Sequence, residues 1–289
     1  MSTVYRHSKF KILHSELNIM NEDYFLGVHQ KEIARLDRQH TAWQLETQGL
    51  IESAKLADCN SILDLGCGPG FTTFELAKNC PTATITALDK AALYQDYLRF
   101  QIQKSKTKNI ELLQANILDL PQQKGLYEGA FCRWFLAFLI ADLPAVLEAI
   151  YKKIKPGGVF AMMEYLTLDS FTCVPANKSF DAHTKAWNQF YLNNGGDAKI
   201  GTYLPSLLEE TGFTIESQTC VGGMSPVKHR WWNWWRDAFD NFAPTFVEQG
   251  LMTQVDFDAL EEYWQKQAST NTGFIYSAVI VQIVARKGT

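Results

Sequence analysis

The sequence predicts an α/β fold, in which a parallel sheet is covered by helices on both faces and closed at one mouth by a largely helical cap. Between residues 61 and 165, apolar runs of strand length alternate with stretches of helical periodicity, and the connections are short. Parallel strands joined by helices produce this pattern. Three segments fall outside the alternation, and we assign them to the cap: residues 1–52, 166–200 and 222–272.

Each element has its own local signal. Strands are predicted at residues 61–65, 83–88, 110–114, 129–134, 159–164, 213–221 and 275–285. Helices between them are predicted at residues 71–79, 91–104, 142–154 and 203–211. Lys155-Pro-Gly-Gly158 is predicted as a turn. The organisation that follows is an N-terminal helical lid (1–52), a core (53–165, continued at 201–221 and closed by a strand in 273–289) and two cap insertions (166–200 and the aromatic-rich 222–272).

Composition excludes several classes of protein. Hydrophobic residues make up 46% of the chain and the formal net charge is -4, so a sizeable core is expected and a basic nucleic-acid footprint is absent. No apolar run reaches the roughly 20 residues that span a bilayer, and the N-terminus does not read as a secretory signal. The six cysteines contain no Cys-x-x-Cys pair, which favours neither disulfides nor a metal site. A reduced, cytoplasmic protein is expected.

A glycine-rich turn between the first strand and the first core helix carries the strongest chemical signal. It reads Asp64-Leu-Gly-Cys67-Gly-Pro-Gly70. Glycine permits a tight reversal and close approach of a ligand, and the helix N-terminus that follows favours an anion. Asp64 suits a cationic amino group on the same ligand. A dehydrogenase is disfavoured, because its fingerprint would read Gly-x-Gly-x-x-Gly.

This loop resembles the signature of class I S-adenosylmethionine-dependent methyltransferases, and other segments match the ubiquinone and menaquinone C-methyltransferase-like small-molecule group. The resemblance implies a Rossmann-like, doubly wound sheet of seven strands, with S-adenosylmethionine as cofactor and S-adenosylhomocysteine as product. It also implies cofactor-binding roles for residues of the core, namely Asp64, Gly66, Cys67, Gly68, Gly70, Asp89, Lys90, Asn116, Ile117 and Arg133.

Individual roles follow from where the family's motifs fall. Asp89 ends the second predicted strand, where the family's acid binds both ribose hydroxyls, and Lys90 stands where a side chain packs against adenine. Asn116, in the segment Ala115–Pro121, replaces the acid that accepts the adenine amino hydrogen, and its amide oxygen can still accept that bond.

The N-terminal segment resembles the lid of the same group. The matching residues are Tyr24-Phe-Leu-Gly27 and Arg35-Leu-Asp-Arg-Gln39, and such lids close over the methionine end of the cofactor. Tyr24 and Gln39 are therefore assigned to the cofactor, Gln39 to its carboxylate. Arg35 and Gln39 share a helix face, so an ion pair or hydrogen bond at the surface is the alternative.

The sequence contains fewer signals for the site of the methyl acceptor. Glu164 ends the fifth predicted strand, where it could orient a substrate, accept its proton or hold a loop amide. His183 lies among aromatic residues and is either a general base or a packing residue. The segment Trp231-Trp-Asn-Trp-Trp235 can pack against the cap, line an apolar pocket or rest on a membrane surface.

The predicted function is methyl transfer to a small, apolar or aromatic molecule by in-line displacement. Such a reaction depends mainly on alignment of the reactants in a dry pocket, so the lack of an assigned base is compatible with it. Two alternatives stay open: a protein methyltransferase, and a catalytically silent protein that binds the cofactor as a sensor or scaffold. A nucleic-acid methyltransferase is disfavoured, because Cys132-Arg-Trp-Phe135 replaces the expected base-gripping motif.

Overall fold

The computed structural model describes residue 26 and residues 29–289, so Tyr24 lies outside the described residues. The strands are β1 (Ser61–Leu65), β2 (Thr84–Asp89), β3 (Ile110–Gln114), β4 (Tyr127–Arg133), β5 (Ile154–Thr167), β6 (Thr172–Val174), β7 (Phe213–Val221), β8 (Met224–Pro226), β9 (Phe274–Tyr276) and β10 (Val279–Lys287). The α-helices are α1 (Gln30–Ala42), α2 (Gln44–Ser53), α3 (Phe71–Asn79), α4 (Ala92–Ser105), α5 (Leu143–Lys153), α6 (Lys178–Asn193), α7 (Leu204–Thr211), α8 (Arg230–Glu248) and α9 (Gln254–Thr270).

Seven strands form the central sheet in the order β3-β2-β1-β4-β5-β10-β7. The first five are parallel, and β10 is antiparallel to both β5 and β7. The chain leaves β1 toward β2 on one side and later returns to β4 on the other. The predicted α/β fold with a doubly wound, seven-stranded sheet is confirmed, and the strand order reverses beside β1, where ligands of such sheets bind.

Two predicted boundaries are wrong. The closing strand predicted at 275–285 is divided at Ser277 and Ala278 into β9 and β10, which belong to different sheets. Strand β9 joins β6 and β8 in a three-stranded sheet that was not predicted, because runs of three residues are too short to show a period. The predicted turn at 155–158 is part of β5, since Ile154 already pairs with Tyr127.

The cap is built around aromatic side chains. In α8, the four tryptophans of the segment 231–235 are all at most 6% exposed. Trp43, at the junction of α1 and α2, is fully buried, and its ring centroid lies 5.0 Å from that of Trp231 and 5.3 Å from that of Trp234. Burial of one such side chain contributes about 2–3 kcal/mol. The lid and α8 are therefore held together mainly by packing.

The described part of the chain shows no disulfide, metal cluster or membrane-spanning helix. Its six cysteines are all free, and only Cys220 is exposed. No group of three or more candidate metal ligands occurs among residue 26 and residues 29–289. Over the same residues, every helix is too short or too polar to cross a bilayer.

Candidate active site

A cavity of about 250 Å³ opens at the carboxyl ends of the parallel strands. Its floor consists of the segments that follow β1, β2, β3 and β4, and residues of α1, α6 and α8 cover it. This is the position that ligands occupy in open α/β sheets. The cavity has two parts, one beside the glycine loop and one lined by aromatic rings of the cap.

Two glycines of the loop are required by close contacts. Gly66 has φ 62°, and a Cβ there would lie 2.1 Å from Cδ2 of Phe135. Gly70 has φ 91° and is the N-cap of α3, where a Cβ would lie 2.3 Å from Cδ1 of Leu98. Gly66, Cys67 and Gly68 line the cavity, whereas Gly70 does not. Gly70 therefore serves the packing of α3 against α4.

Asp64 lies behind the loop and does not line the cavity. Its Oδ2 accepts hydrogen bonds from Thr73 Oγ1 at 2.6 Å and Thr72 Oγ1 at 3.2 Å. Burial raises the pKa of this carboxyl to about 7 despite the two hydroxyl donors. Thr72 does line the cavity, so Asp64 positions the first turn of α3 beneath the ligand space.

Asp89, at the end of β2, faces the cavity with both oxygens already ordered. Oδ2 accepts from the amide of Gly68 at 2.8 Å, and Oδ1 accepts from the amide of Ala91 at 2.9 Å. Burial raises the pKa of Asp89, and the two amides oppose that shift. Each oxygen keeps a second lone pair, so the carboxylate can accept two hydroxyl hydrogens from a ligand. The exposed Lys90 lines the cavity beside it.

Asn116 and Ile117 lie on the same side of the cavity, after β3. Asn116 caps the short 3-10 helix Ile117–Gln122, because its Oδ1 accepts from the amide of Leu118 at 3.0 Å. One lone pair of that oxygen is thus engaged within the chain. The other remains for a ligand amino group, and Ile117 supplies a buried apolar surface next to it.

Arg133 brings positive charge to the wall at the end of β4. Its Nη1 donates to Thr47 Oγ1 at 2.8 Å, and its guanidinium carbon lies 5.0 Å from the ring centroid of Trp134. Among the described residues it makes no ion pair. Burial lowers its pKa to about 10, which leaves it charged at neutral pH. Such a cation fits a ligand carboxylate.

The lid reaches the cavity through Arg35 and Gln39. Arg35 pairs with Glu32 through two hydrogen bonds of 2.6 and 2.8 Å. The side chains of Glu32, Arg35 and Gln39 are all buried. Gln39 Oε1 accepts from Arg35 Nη1 at 2.8 Å and from Trp234 Nε1 at 3.1 Å. Arg35 and Gln39 therefore form the hydrogen bond that was the alternative to cofactor binding, but both side chains are buried and not at the surface. Gln39 can still offer its amide nitrogen to a ligand.

Aromatic rings form the second part of the cavity, and among them the sequence had indicated a pocket role, as one of three alternatives, only for the segment 231–235. They are Trp134, Phe138, Tyr165, Trp187, Tyr191, Trp234 and Trp235. The Trp134 ring is stacked on Tyr165 at 5.7 Å and on Trp234 at 5.9 Å between centroids. Trp134 has φ 50°, which is rare for a bulky residue and typical of functional sites. Trp134 and Phe138 follow β4, and that position was the available signal for these two rings, whereas Trp187 and Tyr191 lie on α6.

Glu164 supports this aromatic part from behind. It is fully buried and does not line the cavity. Its Oε1 accepts from the amides of Phe135 at 2.8 Å and Leu136 at 2.7 Å, whereas Oε2 has no hydrogen-bond partner. Burial raises the pKa of Glu164 to about 7. Of the three roles considered, the geometry matches the one in which the acid holds loop amides.

His183, on α6, is fully buried outside the cavity lining. Rings of Trp235, Phe239, Phe246 and Trp187 lie 5.1 to 6.4 Å from its own, and neither imidazole nitrogen has a hydrogen-bond partner. Burial alone lowers its pKa to about 3. These contacts match packing rather than proton transfer.

The low pKa of His183 predicts a loss of stability in acid. The unfolded chain binds a proton at this histidine below pH 6.5, whereas the folded chain does not until about pH 3. His183 should therefore lower the free energy of unfolding by about 2 kcal/mol at pH 5 relative to pH 8. Urea unfolding gives the free energy of unfolding of His183→Met relative to the wild type at each pH. We expect this difference to favour the variant more at pH 5 than at pH 8. A gain that is equal at both pH values would contradict this. His229→Gln, at an exposed position, is the control.

The comparison with protein families decides the classification. A family model described as a methyltransferase domain matches residues 57–217, more than half of the chain. The chain belongs to the methyltransferase domain family. The segment holds β1 to β5 and the glycine loop, and the family implies S-adenosylmethionine as methyl donor.

Two of the relatives that the chain matches are named as methyltransferases of small molecules. The chain is 31% identical over 130 residues to the demethylmenaquinone methyltransferase of Lactococcus lactis, covering 44% of this chain and 49% of that protein. It is 29% identical over 148 residues to the trans-aconitate 2-methyltransferase of Deinococcus radiodurans, covering 49% of each. The chain thus spans about half the length of the curated relatives it matches.

A solved structure shares the fold over a larger part of the chain. The [4+2]-cyclase SpnF superposes with a TM-score of 0.55 at 16% identity, covering 84% of this chain and 80% of that one. At this identity the likeness concerns the fold alone. Because that protein is named a cyclase, the fold by itself does not specify the reaction.

Proposed function

We propose that the protein transfers a methyl group from S-adenosylmethionine to a small apolar or aromatic molecule. The observation that carries the proposal is the two-part cavity, with an ordered carboxylate and glycine loop at one end and stacked aromatic rings at the other. Relatives that are named small-molecule methyltransferases support it. S-adenosylmethionine supplies a methyl group activated by a sulfonium.

The chain's own residues fit that cofactor one group at a time. Asp89 accepts the ribose hydroxyls, and the loop at Gly66–Gly68 lets the ligand approach the backbone. Asn116, Ile117 and Lys90 surround adenine. Arg133 and the amide nitrogen of Gln39 donate to the methionine carboxylate.

The aromatic part orients the acceptor. Trp134, Tyr165 and Trp234 form a stack in the cavity wall, and a flat apolar molecule can lie against it. Burial keeps Tyr165 protonated, because its pKa is raised above its ordinary value. Catalysis then rests on the alignment of the two reactants, because one cavity holds both of them.

The proposal is tested in two steps. Calorimetry should show binding of S-adenosylmethionine and S-adenosylhomocysteine but not of NAD. Incubation with methyl-labelled S-adenosylmethionine and a cell extract should then place label in molecules that partition into organic solvent. Failure to bind S-adenosylmethionine overturns the cofactor assignment. Binding without transfer overturns the enzyme, and label confined to protein or to polar metabolites overturns the acceptor class.

A further inference from the structure

The three-stranded sheet of the cap has one buried and one open face. Alternate residues of its strands point inward, and Cys173, Ser225 and Ile275 are at most 2% exposed. Tyr276 pairs with Thr172 on one side and Met224 on the other, and Phe274 pairs in the same way with Val174 and Pro226. These six residues therefore share the opposite side, which we call the outer face.

The outer face is mostly apolar and is open to solvent. Met224 is 59% exposed, Tyr276 43% and Val174 41%. The described residues include nine large hydrophobic side chains that are exposed, and three of them lie on this one small sheet. Single exposed apolar residues are ordinary, but a contiguous patch marks an interaction surface.

Two basic residues follow the strands at one end of the same sheet. Strands β6 and β8 are both antiparallel to β9, so their carboxyl ends lie at the same end of the sheet. Lys178 follows β6 and Lys228 follows β8, and both are exposed. Neither lysine forms an ion pair with any described residue. An apolar face with free basic side chains at its edge is complementary to an anionic lipid surface, where rings enter the interface and lysines meet headgroups.

We propose that the outer face docks the protein on an anionic membrane surface. The inner side of the sheet packs on α8, where the amide of Trp232 donates to Ser225 Oγ at 3.2 Å. Trp234 and Trp235 of the same helix line the cavity, and Phe171, directly before β6, stacks on Trp235 at 3.9 Å between ring centroids. The docked surface therefore lies one helix from the aromatic part of the cavity.

Vesicle binding tests this proposal without cofactor or acceptor, so its outcome is independent of methyl transfer. The protein should co-sediment with vesicles of phosphatidylcholine and phosphatidylglycerol, and much less with phosphatidylcholine alone. The double variant Met224→Ser/Tyr276→Ser should bind the anionic vesicles about tenfold more weakly, because binding follows the apolar area inserted. Lys228→Asn should weaken binding about fivefold. Asparagine tolerates the left-handed conformation of residue 228, which has φ 67°.

A variant of Leu192 is the matched control for vesicle binding, and a second copy of the chain is the alternative occupant of the outer face. Leu192, on α6, is 57% exposed and lies outside the outer face, so Leu192→Ser should bind vesicles as the wild type does. Urea unfolding should show that all variants are folded. Equal binding of wild type and outer-face variants overturns the proposal, as does absence of binding. A dimer in light scattering that the outer-face variants dissociate, without vesicle binding, assigns the face to a second copy and also overturns it.

Discussion

Replacing Asp89 with alanine is expected to weaken S-adenosylmethionine binding about 100-fold or more. Two hydrogen bonds from hydroxyls to a charged acceptor are worth about 1.5–3 kcal/mol each, and about 1.4 kcal/mol corresponds to a factor of ten. The substitution also releases the amides of Gly68 and Ala91, which Asp89 holds at 2.8 and 2.9 Å. Calorimetric titration of wild type and variant measures the change directly.

Asp89→Ala can weaken binding by loss of the ribose contact or by release of the glycine loop, and a modified ligand separates these two effects. Wild type should bind S-adenosylhomocysteine at least about tenfold more tightly than its 2′-deoxy analogue, whereas Asp89→Ala should bind the two almost equally. Asp89→Asn keeps one acceptor oxygen and should be intermediate. Asp119→Ala, at an exposed position in the neighbouring 3-10 helix, serves as the control. If Asp89→Ala still bound S-adenosylhomocysteine much more tightly than the 2′-deoxy analogue, the assignment of Asp89 to the ribose hydroxyls would be refuted.

Replacing Glu164 with alanine is expected to lower the free energy of unfolding by about 3–4 kcal/mol. The substitution leaves the amides of Phe135 and Leu136 without their acceptor, and each unpaired buried group costs about 1–3 kcal/mol. The segment that these amides belong to carries Trp134 and Phe138 into the cavity wall. Urea unfolding measures the loss, and methyl transfer should fall with the alignment of the acceptor.

Glu164→Gln is the matched variant, and it predicts a pH dependence. Glutamine keeps an oxygen for both amides and imitates the protonated acid. The pKa of Glu164 is raised from 4.5 to about 7, so the unfolded chain loses this proton first as pH rises. The wild type should therefore lose up to about 3 kcal/mol of stability between pH 4.5 and pH 7 from this group, and Glu164→Gln should not. A wild type and variant with parallel pH profiles would contradict the burial argument.

Local patterns determined the cofactor half of the site. The glycine loop, Asp89 and Asn116 each lie where a strand meets a turn, and short-range sequence is sufficient to predict such junctions. The comparisons confirm the family that these residues indicated. Their individual contacts with a cofactor stay predictions. The structure refines two of them, since Asp64 and Gly70, at the two ends of the loop, do not line the cavity.

Only the tertiary structure decided the aromatic part of the cavity. Trp134 follows β4, whereas Trp187 and Trp234 lie on α6 and α8. These segments are distant in sequence, and no period within one of them shows that the rings share a cavity. The same holds for the three-stranded sheet, whose strands come from three separate parts of the chain. Local sequence sets which residues form a turn, a strand or a helix end. Which distant side chains share a cavity or a surface depends on long-range packing. That is why the glycine loop could be predicted from the sequence and the full aromatic part of the cavity could not.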